Sequence, residues 1–162
     1  MAAVDYFLKI DNIPGESHDA KHKDEIQVDS WFLGARQDGS FGRGGGGAGK
    51  VQMNDVSFTA KVSKASAKLF LACATGDHLK KAVLTVRKAG GGKVPQDFLM
   101  VTFTDSLVSS YQSNGPSRAG VPTEQFSLNF AKIEFQYKEQ KPDGSLGAAI
   151  QSGFDVVTTS AV

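Results

Sequence analysis

Apolar and polar residues alternate with a period of two along most of the chain, the pattern of strands with one buried face. In VDYFLKI, Val4, Tyr6, Leu8 and Ile10 share one parity, and Asp5 and Lys9 take the other. EIQVDSWFLGA alternates through Ile26 and Val28, then becomes apolar on both parities at Trp31, Phe32 and Leu33. After Lys50, VQMNDVSFTAKV starts in one phase with Val51 and Met53 and continues in the other with Val56, Phe58 and Ala60. Such a phase flip predicts a β-bulge near Asn54–Asp55. Further strands are expected at 82–89, 97–105, 106–113, 123–139 and 153–160. The segment 123–139 changes parity too, from Phe126, Leu128 and Phe130 to Ala131, Ile133, Phe135 and Tyr137. KPDGS at 141–145 is a turn signal.

One segment leaves the strand rhythm. In SKASAKLFLACATG, Ala65, Leu69, Ala72 and Cys73 recur at helical spacing. Ser63 is placed to cap the start and Gly76 to stop the end. The pattern predicts about eight strands and one helix at about 64–75, in a single domain spanning 1–162. The fold class is mainly β: a mainly antiparallel barrel or sandwich plugged by one helix.

Composition narrows the function more than it defines it. The 18 basic and 17 acidic residues leave a formal net charge of +1, so electrostatics make no case for nucleic acid or an anionic membrane. The single cysteine, Cys73, excludes an internal disulfide framework and lies on the apolar helix stripe as a small hydrophobe. The opening MAAVDYFLKIDNIPGES lacks the basic start and apolar core of a cleaved leader. No apolar run approaches the ~18 residues of a membrane span. The expectation is a cytoplasmic protein which, if exported, leaves without a cleaved signal peptide and without membrane insertion.

The glycine run GRGGGGAGK fits G-x-x-x-x-G-K from Gly44 to Lys50. A phosphate cradle needs a hydroxyl residue after the lysine, to bind magnesium, and a helix opening there. Val51 follows instead, and the next residues alternate as a strand. His18 and His22 are spaced i, i+4, but ESHDAKHKDE has no apolar stripe to dock a helix, so the segment reads as a solvated loop. His78 suits the C-terminal end of the helix dipole. Lys80, Lys81, Arg87 and Lys88 read as a solvated basic face. No G-x-S-x-G elbow is present. An enzyme is not expected, and neither cofactor nor metal.

Four blocks carry a family resemblance: IPGESHDAKHKDEIQVDSW, GGGGAGKVQMNDVSFT with the helix after it, ACATGDHLKKAVLTVRKAGG, and TEQFSLNFAKIEFQYKEQKPDG. In this order, and spread over about 4–158, they resemble haemolysin-coregulated protein, Hcp, of bacterial type VI secretion. The chain departs most at 112–122 and in its last residues. The resemblance implies a compact β-barrel of two mostly antiparallel sheets flanked by one α-helix, related in fold to phage tail-tube proteins. It also implies a homo-hexameric ring, and stacking of rings into a tube. A contractile sheath propels that tube, spike proteins accompany it, and small secreted effectors travel in the lumen. Ring closure and stacking are both head-to-tail contacts between different patches of one chain; the first closes and the second has no natural end.

By the same resemblance, Gln37 to Lys50 is a long loop reaching toward the next ring, with Gln37, Asp38, Phe41, Arg43, Gly44, Gly45, Gly46, Gly47 and Lys50 as stacking residues. Phe41 is its one large apolar side chain. The turn carrying Gly90, Gly91 and Lys93 is assigned to the opposite ring face. Asp29, Ser30, Trp31 and Phe32 are lumen candidates, with Trp31 favoured as core. The rival reading is a monomeric β-barrel binding module, which needs an aromatic-lined pocket within one chain.

Overall fold

The computed structural model describes residues 3–42, 45–47, 49–90, 93–116 and 120–162. Along the chain run β1 (Val4–Ile10), β2 (Ile26–Phe32), β3 (Ala35–Gln37), β4 (Ser40–Gly42), β5 (Gly45–Gly47), β6 (Val51–Met53) and β7 (Val56–Lys61). There follow α1 (Ser66–Thr75), β8 (Leu79–Gly90), β9 (Lys93–Asn114), β10 (Thr123–Gln140), β11 (Leu146–Asp155) and β12 (Ser160–Ala161).

Six strands close a barrel in the order β10-β7-β2-β1-β8-β9, and β9 returns to β10. Every pairing is antiparallel. β11 and β12 extend the sheet from β10, and two small ladders, β3–β6 and β4–β5, stand outside it. Closure removes the open edges that would otherwise invite aggregation. The alternating residues fill the interior: Leu8, Ile26, Val56, Leu84, Val101 and Leu128 are buried. Tilted ring pairs Phe58–Phe126 at 5.3 Å and Phe103–Phe130 at 5.1 Å pack at its centre.

The helix stripe behaves as its spacing predicts. Ala65, Leu69 and Ala72 are buried in the same core cluster, with Cys73 packed against it. Ser63 is not the cap: Ala65 holds the N-cap position without a side-chain cap bond, and Ser63 Oγ accepts from the Ala65 amide at 3.2 Å while Ser66 Oγ accepts from the Ser63 amide at 2.9 Å in the turn before the helix. Gly76, with φ 71°, ends the helix in the left-handed conformation, its N–H donating to the Ala72 carbonyl at 3.0 Å.

Two phase changes and one strand break expected from the sequence resolve in three ways. The flip at Asn54–Asp55 is a change of sheet and not a bulge: β6 pairs with β3 outside the barrel, and β7 pairs with β2 and β10 within it. The two strands expected at 97–105 and 106–113 are one 22-residue strand, β9. At their junction Asp105 has φ 51°, which kinks the strand while its ladder with β10 resumes on both sides. The parity change in β10 marks a change of neighbour: residues 123–128 pair with β7 and residues 132–140 with β11. The last strand starts earlier than 153, because LGAAIQS continues the hairpin from the 141–145 turn.

The segment ESHDAKHKDE is not a solvated loop. His22, Glu25 and Ser17 are buried, and the segment folds back over Phe7 on the outer face of β1. Nor is Arg87 part of a solvated basic face. It is buried, donating to Asp19 at 2.6 Å and Asp5 at 3.3 Å, with its guanidinium 4.7 Å from the Phe7 ring centre. A buried guanidinium needs such partners to offset its lost hydration.

Candidate assembly surfaces

The described residues within 35–53 form two antiparallel ladders of a β-hairpin arm, where a long loop over Gln37–Lys50 was expected. At its root Ala35, Arg36 and Gln37 pair with Met53, Gln52 and Val51. Farther out Ser40, Phe41 and Gly42 pair with Gly47, Gly46 and Gly45. Glycine can join such a ladder through its backbone alone, so a run without side chains still forms a strand. Polar side chains lace the root: Arg36 donates to Gln52 Oε1 at 2.9 Å, and Gln52 Nε2 donates to Asp38 Oδ2 at 3.2 Å. Arg36 Nε also lies 3.2 Å from Asp38 Oδ1. All three are exposed, so these bonds set geometry and add little stability.

Gly49 lies so close to the other strand that a Cβ there would overlap the Asp38 carbonyl oxygen. Gly49→Val should therefore break the arm between its two ladders while sparing the barrel. The check is loss of amide protection at Gln37 and Val51 with a thermal midpoint within about 2 °C of the parent.

A second surface lies where the sheet outgrows the barrel. Ile133 faces Phe154, Phe135 faces Ser152, and Tyr137 faces Ile150 across the β10–β11 ladder. On β10 these residues share one parity, opposite Phe103, Val101 and Leu99 of β9 and reached after the parity change that follows Phe130. Ile133 is 6% exposed, Phe135 37%, Tyr137 41% and Ile150 68%, so the core face becomes bare as it passes the barrel rim. Between this face and the arm's root is a pocket of about 340 Å³ lined by Leu33, Ala35, Met53, Ile133, Phe135 and Phe154, among others. The outer edge of β11 pairs with β12 only at Phe154 and Asp155. Its backbone is thus open over most of LGAAIQS, and no charged residue lies between Leu146 and Phe154. Monomeric proteins normally guard such an edge with charge or proline.

The remaining sequence-assigned residues fall as follows. Arg43, Gly44 and Gly91 lie outside the described residues. Gln37 and Asp38 are exposed at the arm's root, as is Lys50. Gly90 pairs with Lys93 in the turn between β8 and β9. The registers put that turn at the same end of the barrel as the arm's root: β8 passes Lys88 opposite Val4, the end of β1 toward which β2 runs. Asp29 and Ser30 are exposed, with Asp29 paired to Lys61 at 3.4 Å. A register shift at Asp29 turns Trp31 toward the interior, where it is half-buried and edge-on to Tyr6 at 6.3 Å. Phe32 takes the other parity and is 63% exposed. Phe135, Tyr137 and Ile150 were not singled out from the sequence. The parity change at Ala131 was the available signal, and alanine and glycine in β11 hid the matching strand.

Among the described residues, no group of three or more His, Cys, Asp or Glu is placed to hold a metal ion. Within the same residues, no helix is long and apolar enough to cross a membrane.

The chain matches the family described as "Type VI secretion system effector, Hcp" over residues 7–137. It is 42% identical over 156 residues to Protein hcp1 of Pseudomonas aeruginosa strain PAO1, covering 95% of this chain and 96% of that protein. Among solved structures it is similar to a type six secretion system protein at TM-score 0.90 and 29% identity, covering 99% of this chain and 100% of the other. The crystal structure of Hcp1 from Salmonella typhimurium is similar at TM-score 0.83 and 35% identity, with both chains covered in full.

Proposed function

Since the chain belongs to the Hcp family and is a subunit of the type VI secretion tube, we propose that residues 1–162 act as one tube domain that closes into rings of six and stacks ring on ring. The observation that carries the reading is the bare β10–β11 face with its open, uncharged edge. Its occupant is a second copy of the chain. In a head-to-tail ring every subunit covers its neighbour's patch, so no copy is left with the apolar face in water. The arm takes the second contact. It projects as a hairpin from one end of the barrel, and Phe41, near its tip, would anchor it on the next ring, with Gln37, Asp38 and Lys50 flanking. The polar root of the arm supports a wet, reversible contact of the kind a stacking tube needs.

The ring lumen carries small effectors in this reading, with Phe32, Asp29 and Ser30 as contacts. Trp31 is withdrawn from that set because it packs against the core. Sheath and spike proteins are the further partners. The family is secreted by the type VI system, and this chain would leave the cytoplasm by that route. Its work is structural, and nothing in the mechanism calls for catalysis.

Electron microscopy and native mass spectrometry of the purified chain test the reading together. Rings with a central hole and the mass of six chains are the expected result. A monomer at high concentration that binds a small apolar ligand at the Phe135 pocket would replace the tube reading with a monomeric binding module. A second test separates the two contacts. Deleting Gly44–Gly47 removes β5 and the tip of the arm, and should spare the ring while shortening or abolishing tubes seen by microscopy. Loss of the ring itself would move the arm from the stacking contact to the ring seam.

A further inference from the structure

We infer that residues 11–25 form a proton-dependent clip, closed on the barrel while His22 is an imidazolium and released when it becomes neutral. His22 is 6% exposed and lies flat on Phe7, ring centroids 4.4 Å apart and planes 8° from parallel. Its Nδ1 is 2.7 Å from Glu25 Oε2, and its Nε2 is 3.1 Å from both oxygens of Asp97. A neutral imidazole has one donor nitrogen and one acceptor nitrogen; only the imidazolium donates from both. Carboxylates at both ends are therefore satisfied by the charged ring. Loss of its proton turns one nitrogen lone pair toward a carboxylate.

The surroundings sharpen this dependence. Glu25 and Asp19 come from the clip itself, Asp5 from β1, Arg87 from β8 and Asp97 from β9. One guanidinium thus stands against four carboxylates, and the His22 proton is the second positive charge of the network. Arg87 is already engaged by Asp5 and Asp19, so it is not free to replace that proton at Asp97. The rest of the clip is held by its own backbone bonds, Gly15 N–H to Asp24 at 2.8 Å, Ser17 N–H to Glu25 at 3.1 Å and Asp24 N–H to Ser17 at 2.9 Å. Its central part is fastened to the barrel at two points, Asp19 on Arg87 of β8 and His22 on Asp97 of β9, and only the second depends on the imidazole proton. Release would uncover Phe7, now 2% exposed, on the outer face of β1. The inference concerns one chain and does not depend on the ring.

The test uses the full-length protein labelled with nitrogen-15. Ring spectra assign the protonation of His22, and hydrogen exchange reports the Gly15, Ser17 and Asp24 amides against Leu84 and Phe126 in the barrel. As pH rises from about 6 to about 9 across the histidine range, clip protection factors should fall about tenfold relative to the barrel, the change one lost charge-assisted bond produces. That fall should follow the loss of the His22 ring proton. His22→Gln should give low clip protection that no longer varies with pH. Clip protection that stays flat while the ring deprotonates would overturn the inference. So would His22→Gln with parental protection, or a ring that is neutral at the acid end while the clip is closed. If His22→Gln does not fold, the titration of the parent decides alone.

Discussion

Ile150→Lys leaves a folded barrel and abolishes the ring. Ile150 is 68% exposed in the single chain, opposite Tyr137 on the sheet extension, so a lysine there meets water and changes barrel stability by only about 0.5 kcal/mol. In a ring the same position is covered by the neighbour, and an ammonium must be desolvated at each seam. At about 2 kcal/mol per seam the ring accumulates roughly 12 kcal/mol over six copies, far more than a modest interface can absorb. Size-exclusion chromatography with light scattering should report the mass of one chain and a thermal midpoint within about 2 °C of the parent. Intact rings of this variant would place the seam elsewhere. Ile150→Val keeps the apolar face and is expected to keep the ring.

Arg87→Ala is expected to cost about 2–3 kcal/mol, less than removal of one partner from a fully buried ion pair, because Asp19 and Asp5 retain some contact with water. At this chain length that is a fall of roughly 5–10 °C in thermal midpoint. The loss is more than one bond. The guanidinium covers Phe7 and holds Asp19 and Asp5, so its removal leaves two carboxylates together without a cation. The parent's acid limb follows from the same contact. The Arg87 hydrogen bond holds the Asp19 carboxyl below its ordinary range, assisted by the Lys21 and His22 amides and opposed by its partial burial. A depressed folded value means that the stabilisation is complete above the ordinary carboxylate range and disappears as pH falls through the lower folded value. Arg87→Ala should flatten that acid limb. A parental limb in the variant would assign the acid dependence to other carboxylates, such as Asp155, which is held low by the Thr158 amide.

The barrel was legible because its strands obey a simple rule. Most residues pointing inward are apolar, as Leu8, Ile26, Phe58, Leu84 and Phe126 are, and the buried Glu124 is met by the Tyr111 hydroxyl. The helix was legible for the same reason at a different period. The sites of phase change could be located in the sequence, but periodicity gives no information on which neighbour a strand meets. The flip at Asn54 and the parity change after Phe130 look alike as patterns, yet they mark a change of sheet and a change of partner. The arm's hairpin was hidden because a glycine ladder is held by backbone groups, and the sequence displays only side chains. The buried His22–Arg87 network was hidden because its residues come from four separate stretches. A polar run looks solvated until the fold supplies a Phe7 for it to cover.

The order in which the barrel closes also has a consequence in time. β1, β2 and β7 are made early, but β1 needs β8 and β7 needs β10 before their edges are paired. At a synthesis rate of about 5–20 residues per second, the first half of the chain waits several seconds with open edges and unburied phenylalanines. A cell that makes such subunits in bulk must shelter nascent chains during that interval. A nascent chain exposed only through Asn114 would present five barrel strands with β7 and β9 unpaired by β10, whereas one exposed through Gln140 could close the barrel.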